Sequence, residues 1–142
     1  MARTLFPFLS DPSAASSAAD TLPLATEMAW DFDADRPVLR GGEPVPVTGA
    51  EAVRVWAWNA LQTQRYRWEL FSPQYGNELT RLVGQSFAAE TKRAEAARYI
   101  QECLLASPYI TRVEVSGLAL RGSWLEAQIS ISTIYGEVTL DV

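Results

Sequence analysis

Residues 53–82 read VRVWAWNALQTQRYRWELFSPQYGNELTRL and decide the fold. This stretch holds three of the five tryptophans, two closely spaced arginines and a Pro-Gln-Tyr-Gly turn, without a grouping of side chains typical of a catalytic site. In its first half, Val53, Trp56 and Leu61 recur at helical spacing. Val55 and Trp58 fall outside that stripe, so this helix is either deeply buried or covered by a partner.

The residues before this stretch predict an N-terminal hairpin or extended strand. Met28, Trp30 and Phe32 alternate with polar residues, as in a half-buried strand, and residues 33–37 turn the chain. The helix then begins with a capping box in which Thr48 and Glu51 satisfy each other's backbone amides. We expect it to end near residue 62.

After the stretch, the pattern predicts one short helix, one long helix and three strands. Asn77 is a suitable N-cap for residues 78–83, and Ser86 for residues 87–106. Alternating apolar residues then mark strands at 112–121, 124–133 and 138–142, with a bulge at Gly117 where the alternation changes phase. The expected fold is therefore α+β, with an N-terminal hairpin or strand, two to three helices and a C-terminal three-stranded antiparallel sheet.

Composition excludes catalysis by histidine and metal sites that need histidine or several cysteines. The chain has no histidine and one cysteine among 142 residues, so catalytic triads and zinc sites are excluded and no internal disulfide can form. Asp31, Asp33 and Asp35 have the spacing of a calcium loop, but Arg36 stands where that loop needs glycine and Gly42 where it needs glutamate. We expect no metal and no cofactor.

The charge and hydropathy of the chain also limit its partners. The net charge of −5 argues against nucleic-acid binding, although Arg65 and Arg67 alternate with aromatic residues. No apolar run approaches a membrane span, and the N-terminus is a poor secretory signal. We therefore expect a protein that is made and kept in a reducing cytoplasm.

Several segments have more apolar or strand-edge surface than a solitary domain needs. Residues 1–25 are expected to be a flexible arm that begins with an apolar hook, residues 5–9, before the single domain at 26–142. The hook is either a frayed terminus or a segment that docks on a neighbour. Arg65 and Arg67 pair with carboxylates either inside the domain or across an interface. The last strand ends the chain and offers an edge for another strand.

In the order and spacing of its short segments, the chain from about residue 24 to 142 resembles the XkdS-like family of phage and prophage tail baseplate proteins. The matching segments are AWDF at 29–32, the helix with Val55-Trp56, TQRYR at 63–67, YGNEL at 75–79, EAARYI at 95–100, SPYI at 107–110 and IYGEV at 134–138. More distantly, that family resembles the baseplate-wedge and sheath-initiator proteins of contractile tails.

This resemblance implies a non-enzymatic subunit of a contractile tail baseplate, assembled into the virion after synthesis in the bacterial cytoplasm. It implies contacts with wedge and hub proteins and with tail sheath, and about six copies around the hub. The predicted interface residues are Phe6, Phe8, Trp58, Arg65, Arg67, Trp68, Tyr75, Glu78, Val138, Leu140 and Val142.

Two alternatives remain open. A glycan hydrolase would use two carboxylates, drawn from Asp31, Asp33, Glu69 and Glu78. An intracellular adaptor would bind peptides by strand addition to the C-terminal edge.

Overall fold

The computed structural model describes residues 22–142 as an α+β fold in which two helices pack on one face of an antiparallel sheet. The predicted fold class is thus confirmed. The described elements are β1 (Thr26–Met28), β2 (Trp30–Asp31), β3 (Arg36–Pro37), β4 (Leu39–Arg40), β5 (Glu43–Pro44), β6 (Pro46–Thr48), α1 (Ala50–Gln62), a 3-10 turn (Leu79–Leu82), α2 (Ala89–Leu105), β7 (Ile110–Arg121), β8 (Trp124–Thr133) and β9 (Gly136–Asp141).

The N-terminal strands form short antiparallel pairs, as the hairpin prediction required. β1 pairs with β6, β2 with β3, and β4 with β5. The turn between β2 and β3 is held by Asp31, whose Oδ1 accepts bonds from the amides of Asp33 and Ala34. Asp35 Oδ1 accepts bonds from two indoles, Trp30 Nε1 at 3.1 Å and Trp58 Nε1 at 2.9 Å. These aspartates organise the turn and its contact with α1.

Helix α1 is buried by its own chain. Val53, Val55 and Leu61 all lie in the core, and Trp58 is only 8% exposed. The capping-box prediction is wrong, because the N-cap is Gly49 and no side chain caps the helix. Thr48 instead pairs with Thr26 as the last residue of β6. Gly49 makes the turn into the helix with φ of 67°.

The second helix begins later than predicted. α2 starts at Ala89, with Ala88 as the N-cap and no side-chain capping bond, so the predicted cap by Ser86 is wrong. Its buried residues include Ile100, Cys103 and Leu104, which recur at helical spacing. The predicted helix at 78–83 is a four-residue 3-10 turn.

The C-terminal sheet has the predicted order β7–β8–β9. The β7–β8 register shifts between Ser116 and Ala119, where Gly117 has φ of 60°, which confirms the predicted bulge. Ile129, Ile131 and Leu140 lie in the core between the sheet and the helices. α2 packs beside β7, and α1 packs beside β9. Among residues 22–142, no helix is long and apolar enough to cross a membrane.

The first described residues are attached to one end of this sheet. Tyr109 Oη donates to the carbonyl of Pro23 at 2.8 Å, and Tyr135 Oη accepts from the amide of Ala25 at 3.0 Å. The rings of these two tyrosines stack with centroids 6.2 Å apart. The chain therefore enters the domain beside the start of β7. The predicted division into an arm and a domain at residue 25 stays a prediction.

Candidate interaction surface

A loop between α1 and the 3-10 turn exposes several large apolar side chains. We call residues 64–78 the clamped loop, because both of its ends are held together at its base. The amide of Asn77 donates to Thr63 O at 2.9 Å, and the amide of Arg65 donates to Asn77 O at 2.8 Å. The two ends thus run side by side as an isolated parallel bridge between Gln64 and Asn77.

The side chain of Asn77 completes the clamp. Its Nδ2 donates to Leu61 O at 2.7 Å and to Thr63 O at 3.0 Å, while its Oδ1 accepts from the amide of Leu79 at 2.9 Å. Asn77 is buried, and Leu61 O belongs to the last turn of α1, where carbonyls have no partner within the helix. One side chain therefore ties the helix end, the loop and the 3-10 turn together.

Gly76 allows the two ends of the loop to approach this closely. Its φ is +100°, and a Cβ at this position would lie 2.8 Å from Thr63 O and 3.0 Å from Arg65 N. Both the backbone conformation and the contact exclude a side chain. A glycine at position 76 is thus required by the geometry of the clamp.

Beyond the clamp, the loop exposes large apolar side chains. Tyr66 is 70% exposed, Trp68 57%, Leu70 92% and Phe71 46%. Tyr66 has φ of 65°, so this segment turns instead of forming the extended strand in which the two arginines would share a face. Clustered exposed apolar side chains on a fixed base are typical of a protein-binding surface.

The arginines of the loop lie beside its aromatic rings. Arg67 is 5.4 Å from the Trp68 ring centroid, and Arg65 is 5.9 Å from that of Tyr66. Arg65 Nη2 also donates to Gln74 O at 3.2 Å. Within residues 22–142, neither arginine forms an ion pair, and the buried Arg65 Nε has no hydrogen-bond partner. Neither Arg65 nor Arg67 is therefore paired with a carboxylate of the described residues, and pairing across an interface stays a prediction.

Tyr75 lies at the inner side of the loop. Its ring contacts Trp56 at 5.7 Å and Phe71 at 5.0 Å between centroids. Burial raises the pKa of its phenol above the ordinary value. Glu78 lies close by, mostly covered, and pairs with Arg81 at 3.3 Å. Tyr75 therefore packs between Trp56 of α1 and Phe71 of the loop.

The outer edge of β9 is a second exposed feature. Val142 and Ala127 form two backbone hydrogen bonds with each other. Because such bonded pairs alternate along an antiparallel ladder, the backbone groups of Leu140 and Val138 also point toward β8. The backbone groups of residues 137, 139 and 141 then point away from the sheet. Arg54 Nε donates to Thr139 O at 3.0 Å and occupies one of these positions.

The predicted interface residues are distributed unevenly over these features. Arg67 and Trp68 are displayed on the clamped loop, with Arg65, Tyr75 and Glu78 at its base. Trp58 and Leu140 lie in the core, whereas Val138 and Val142 are partly buried against it. Phe6 and Phe8 lie outside the described residues. The predicted interface did not include Tyr66, Leu70 and Phe71. Their position just before the Ser72-Pro73 turn could have indicated that they are exposed.

Two of the four carboxylates considered for a hydrolase, Asp31 and Glu78, make structural contacts. Within residues 22–142, no group of three or more carboxylate or thiol side chains is arranged to hold a metal ion. Asp31 caps a turn and Glu78 pairs with an arginine. Burial raises the pKa of the Cys103 thiol to about 12, which keeps it protonated and unreactive at neutral pH.

Comparison with known proteins gives two results. A family model described as contractile injection system sheath initiator matches residues 26–136, which is most of the chain. The chain is also similar to phage-like element PBSX protein XkdS of Bacillus subtilis (strain 168), with 28% identity over 96 residues, 67% of this chain and 68% of that protein. The matched region includes the clamped loop, β7 and β8, and ends at Gly136, the first residue of β9.

Proposed function

We propose a function for this chain from one premise: it belongs to the contractile injection system sheath initiator family. It is a component of a phage-like contractile tail apparatus, and its structural family implies a non-enzymatic role. In that apparatus it links the inner wedge proteins around the hub and starts attachment of the tail sheath. About six copies surround the hub, in keeping with the closed symmetry typical of such assemblies.

The observation that carries the wedge contact is the exposed apolar part of the clamped loop. Leu70, at 92%, is the most exposed large apolar residue that the structure describes, and it lies in the same loop as the exposed Trp68 and Phe71. Covering one such side chain is worth about 1.5–3 kcal/mol. The clamp holds the base of the loop before binding, so less conformational entropy is lost on contact. We assign this surface to a wedge protein.

The outer edge of β9 supports the sheath contact. Residues 137, 139 and 141 point backbone groups away from β8, and another strand can pair with these groups except the Thr139 carbonyl, which already accepts from Arg54. The side chains on the core face of β9 pack against α1, which fixes the strand in place. A strand from the first sheath ring would extend the sheet from three strands to four.

Substitution in the loop tests the wedge contact. Leu70→Asp places a charge on the proposed surface. Leu105→Asp is the control, because it makes the same change at the end of α2, where the Leu105 side chain is 50% exposed. We expect Leu70→Asp to abolish copurification with wedge proteins and Leu105→Asp to leave it intact. Equal behaviour of the two variants would refute the assignment of this surface.

Proline substitution tests the sheath contact. Thr139→Pro removes an amide that faces away from β8, so it blocks strand addition while leaving the β8–β9 bonds in place. We expect this variant, and Asp141→Pro, to fold but to fail in nucleating sheath polymerisation. Leu140→Pro removes a β8–β9 bond and serves as the destabilised control. Normal sheath growth on a folded Thr139→Pro protein would exclude strand addition at this edge.

A further inference from the structure

An apolar groove lies at the end of the sheet opposite the attachment point of residues 23–25. Its volume is about 420 Å³, and it lies between the 3-10 turn, the start of α2 and the turn that joins β7 to β8. Its apolar lining residues include Leu79, Leu82, Val83, Phe87, Leu120 and Leu125. Val83 is 64% exposed and Phe87 is 51% exposed, so the groove has room for further apolar side chains.

The rim of this groove is basic. Lys92 and Arg93 line it from the first turns of α2. Among the described residues, neither has a carboxylate within ion-pairing distance. An occupant with apolar side chains and a neighbouring negative charge would therefore complement the groove.

The chain itself contains a segment with this chemistry. The hook has four large apolar residues, Leu5, Phe6, Phe8 and Leu9. The linker that follows it, residues 10–21, contains Asp11 and Asp20 and has no lysine or arginine. The apolar hook thus matches the floor of the groove, and the acidic linker matches its rim.

We propose that the groove of one copy is occupied by the hook of a second copy. Pro23 is held beside the start of β7, whereas Leu120 and the groove lie at the other end of that strand. Eleven strand residues span roughly 36 Å. Thirteen residues separate Leu9 from Pro23, and a random coil of that length would have an end-to-end distance of about 20 Å.

The hook of the same molecule would therefore have to cross the domain on a strongly extended linker. A neighbouring copy has no such constraint, because its own attachment point can lie close to the groove. Such a head-to-tail contact joins two different surfaces and closes into a ring when the rotation between copies permits. The inference rests on the proposed function for the ring of copies.

A labelled peptide tests whether the groove binds the hook. The peptide carries residues 3–11, and its receptor is the full chain with Phe6→Ser and Phe8→Ser, so that the receptor's own hook does not compete. We expect saturable binding in fluorescence anisotropy that Val83→Asp weakens by about tenfold or more. Phe87→Glu is a second groove variant, and Leu105→Asp is the matched control with unchanged binding. Absence of binding, or equal binding by all variants, would overturn the proposal.

Cross-linking then tests which copy supplies the hook. One full-length chain carries Leu9→Cys with Val83→Asp, and the other carries Ser123→Cys with the two hook substitutions. We expect a bismaleimide to link these two chains into a mixed dimer and to link neither chain with itself. A second protein carries Leu9→Cys and Ser123→Cys together in an otherwise intact chain. A link within one molecule of that protein would overturn the assignment to a second copy.

The tests of hook binding can fail or succeed independently of the tests of the proposed sheath and wedge contacts. Sheath nucleation depends on the edge of β9, and wedge binding depends on the clamped loop, neither of which lines the groove. If peptide binding fails while both of those activities persist, the hook assignment alone is wrong. If peptide binding persists while both activities are absent, the proposed function alone is wrong.

Discussion

Replacing Asn77 with alanine removes the side chain that joins α1, the clamped loop and the 3-10 turn. Three hydrogen bonds of 2.7–3.0 Å are lost. Among the described residues, the buried carbonyl of Leu61 then has no hydrogen-bond donor outside its helix. At about 1 kcal/mol net for each bond, the free energy of unfolding should fall by about 3 kcal/mol. For a domain of this size the midpoint of thermal unfolding should fall by about 6–12 °C.

Urea titration followed by tryptophan fluorescence measures this change in the free energy of unfolding. Asn59→Ala is the matched control, since the Asn59 side chain makes no hydrogen bond to the described residues, and its effect should stay within about 0.5 kcal/mol. Trypsin cleavage after Arg65 and Arg67 should also accelerate in Asn77→Ala, because the base of the loop opens. A loss below about 1 kcal/mol with unchanged cleavage would refute the role of Asn77 as a clamp.

Four further predictions follow from other contacts. Asp35→Ala should destabilise the domain by about 2 kcal/mol in urea titration, because two indoles lose their acceptor, whereas Asp35→Asn, which keeps a carbonyl oxygen, should cost less. Gly76→Ala should cost at least about 2 kcal/mol in the same titration, because its Cβ would lie 2.8 Å from Thr63 O; a smaller cost would contradict the contact. Since burial raises the pKa of Cys103 from 9.0 to about 12, its contribution to stability should be complete below pH 9 and be lost as the pH rises from 9 to 12; at pH 8, a thiol reagent should label Cys103 only after unfolding. The unsubstituted protein should give no clearing in a cell-wall turbidity assay, and neither should Glu69→Gln or Glu78→Gln; clearing by the unsubstituted protein that these variants lose would restore the hydrolase alternative.

The elements that the sequence predicted best are those with long, regular patterns. The alternation at 124–133 coincides with β8, and the change of phase at Gly117 coincides with the observed bulge. The apolar spacing around Ile100 and Leu104 gave the core side of α2. In each case a single periodicity holds over several residues, and tertiary contacts reinforce it.

The first residues of the helices and the burial of individual side chains were harder to predict from the sequence. Thr48 and Ser86 both have the chemistry of an N-cap, but strand pairing uses Thr48, and α2 begins three residues after Ser86. Trp58 was predicted as an interface residue because it lies outside the apolar stripe of α1. It is buried because Asp35, 23 residues earlier, supplies an acceptor for its indole. A contact of that range leaves no local signal.

The clamped loop shows the same limit for the site. Gly76 and Asn77 suggested a turn and a cap, but the sequence could not show that Asn77 also reaches back to Leu61. That bond is what converts residues 64–78 into a loop with a fixed base. The exposure of Leu70 depends on this closure of the loop, which the sequence did not show. The predicted interface therefore included Trp68 but omitted Leu70.

A cryo-electron-microscopy structure of an assembled tail containing this protein is the most direct measurement of the central claim, that a neighbouring subunit covers the clamped loop. We predict that Trp68, Leu70 and Phe71 are buried against another baseplate protein in every copy. An assembled tail in which these three side chains face solvent would contradict the claim.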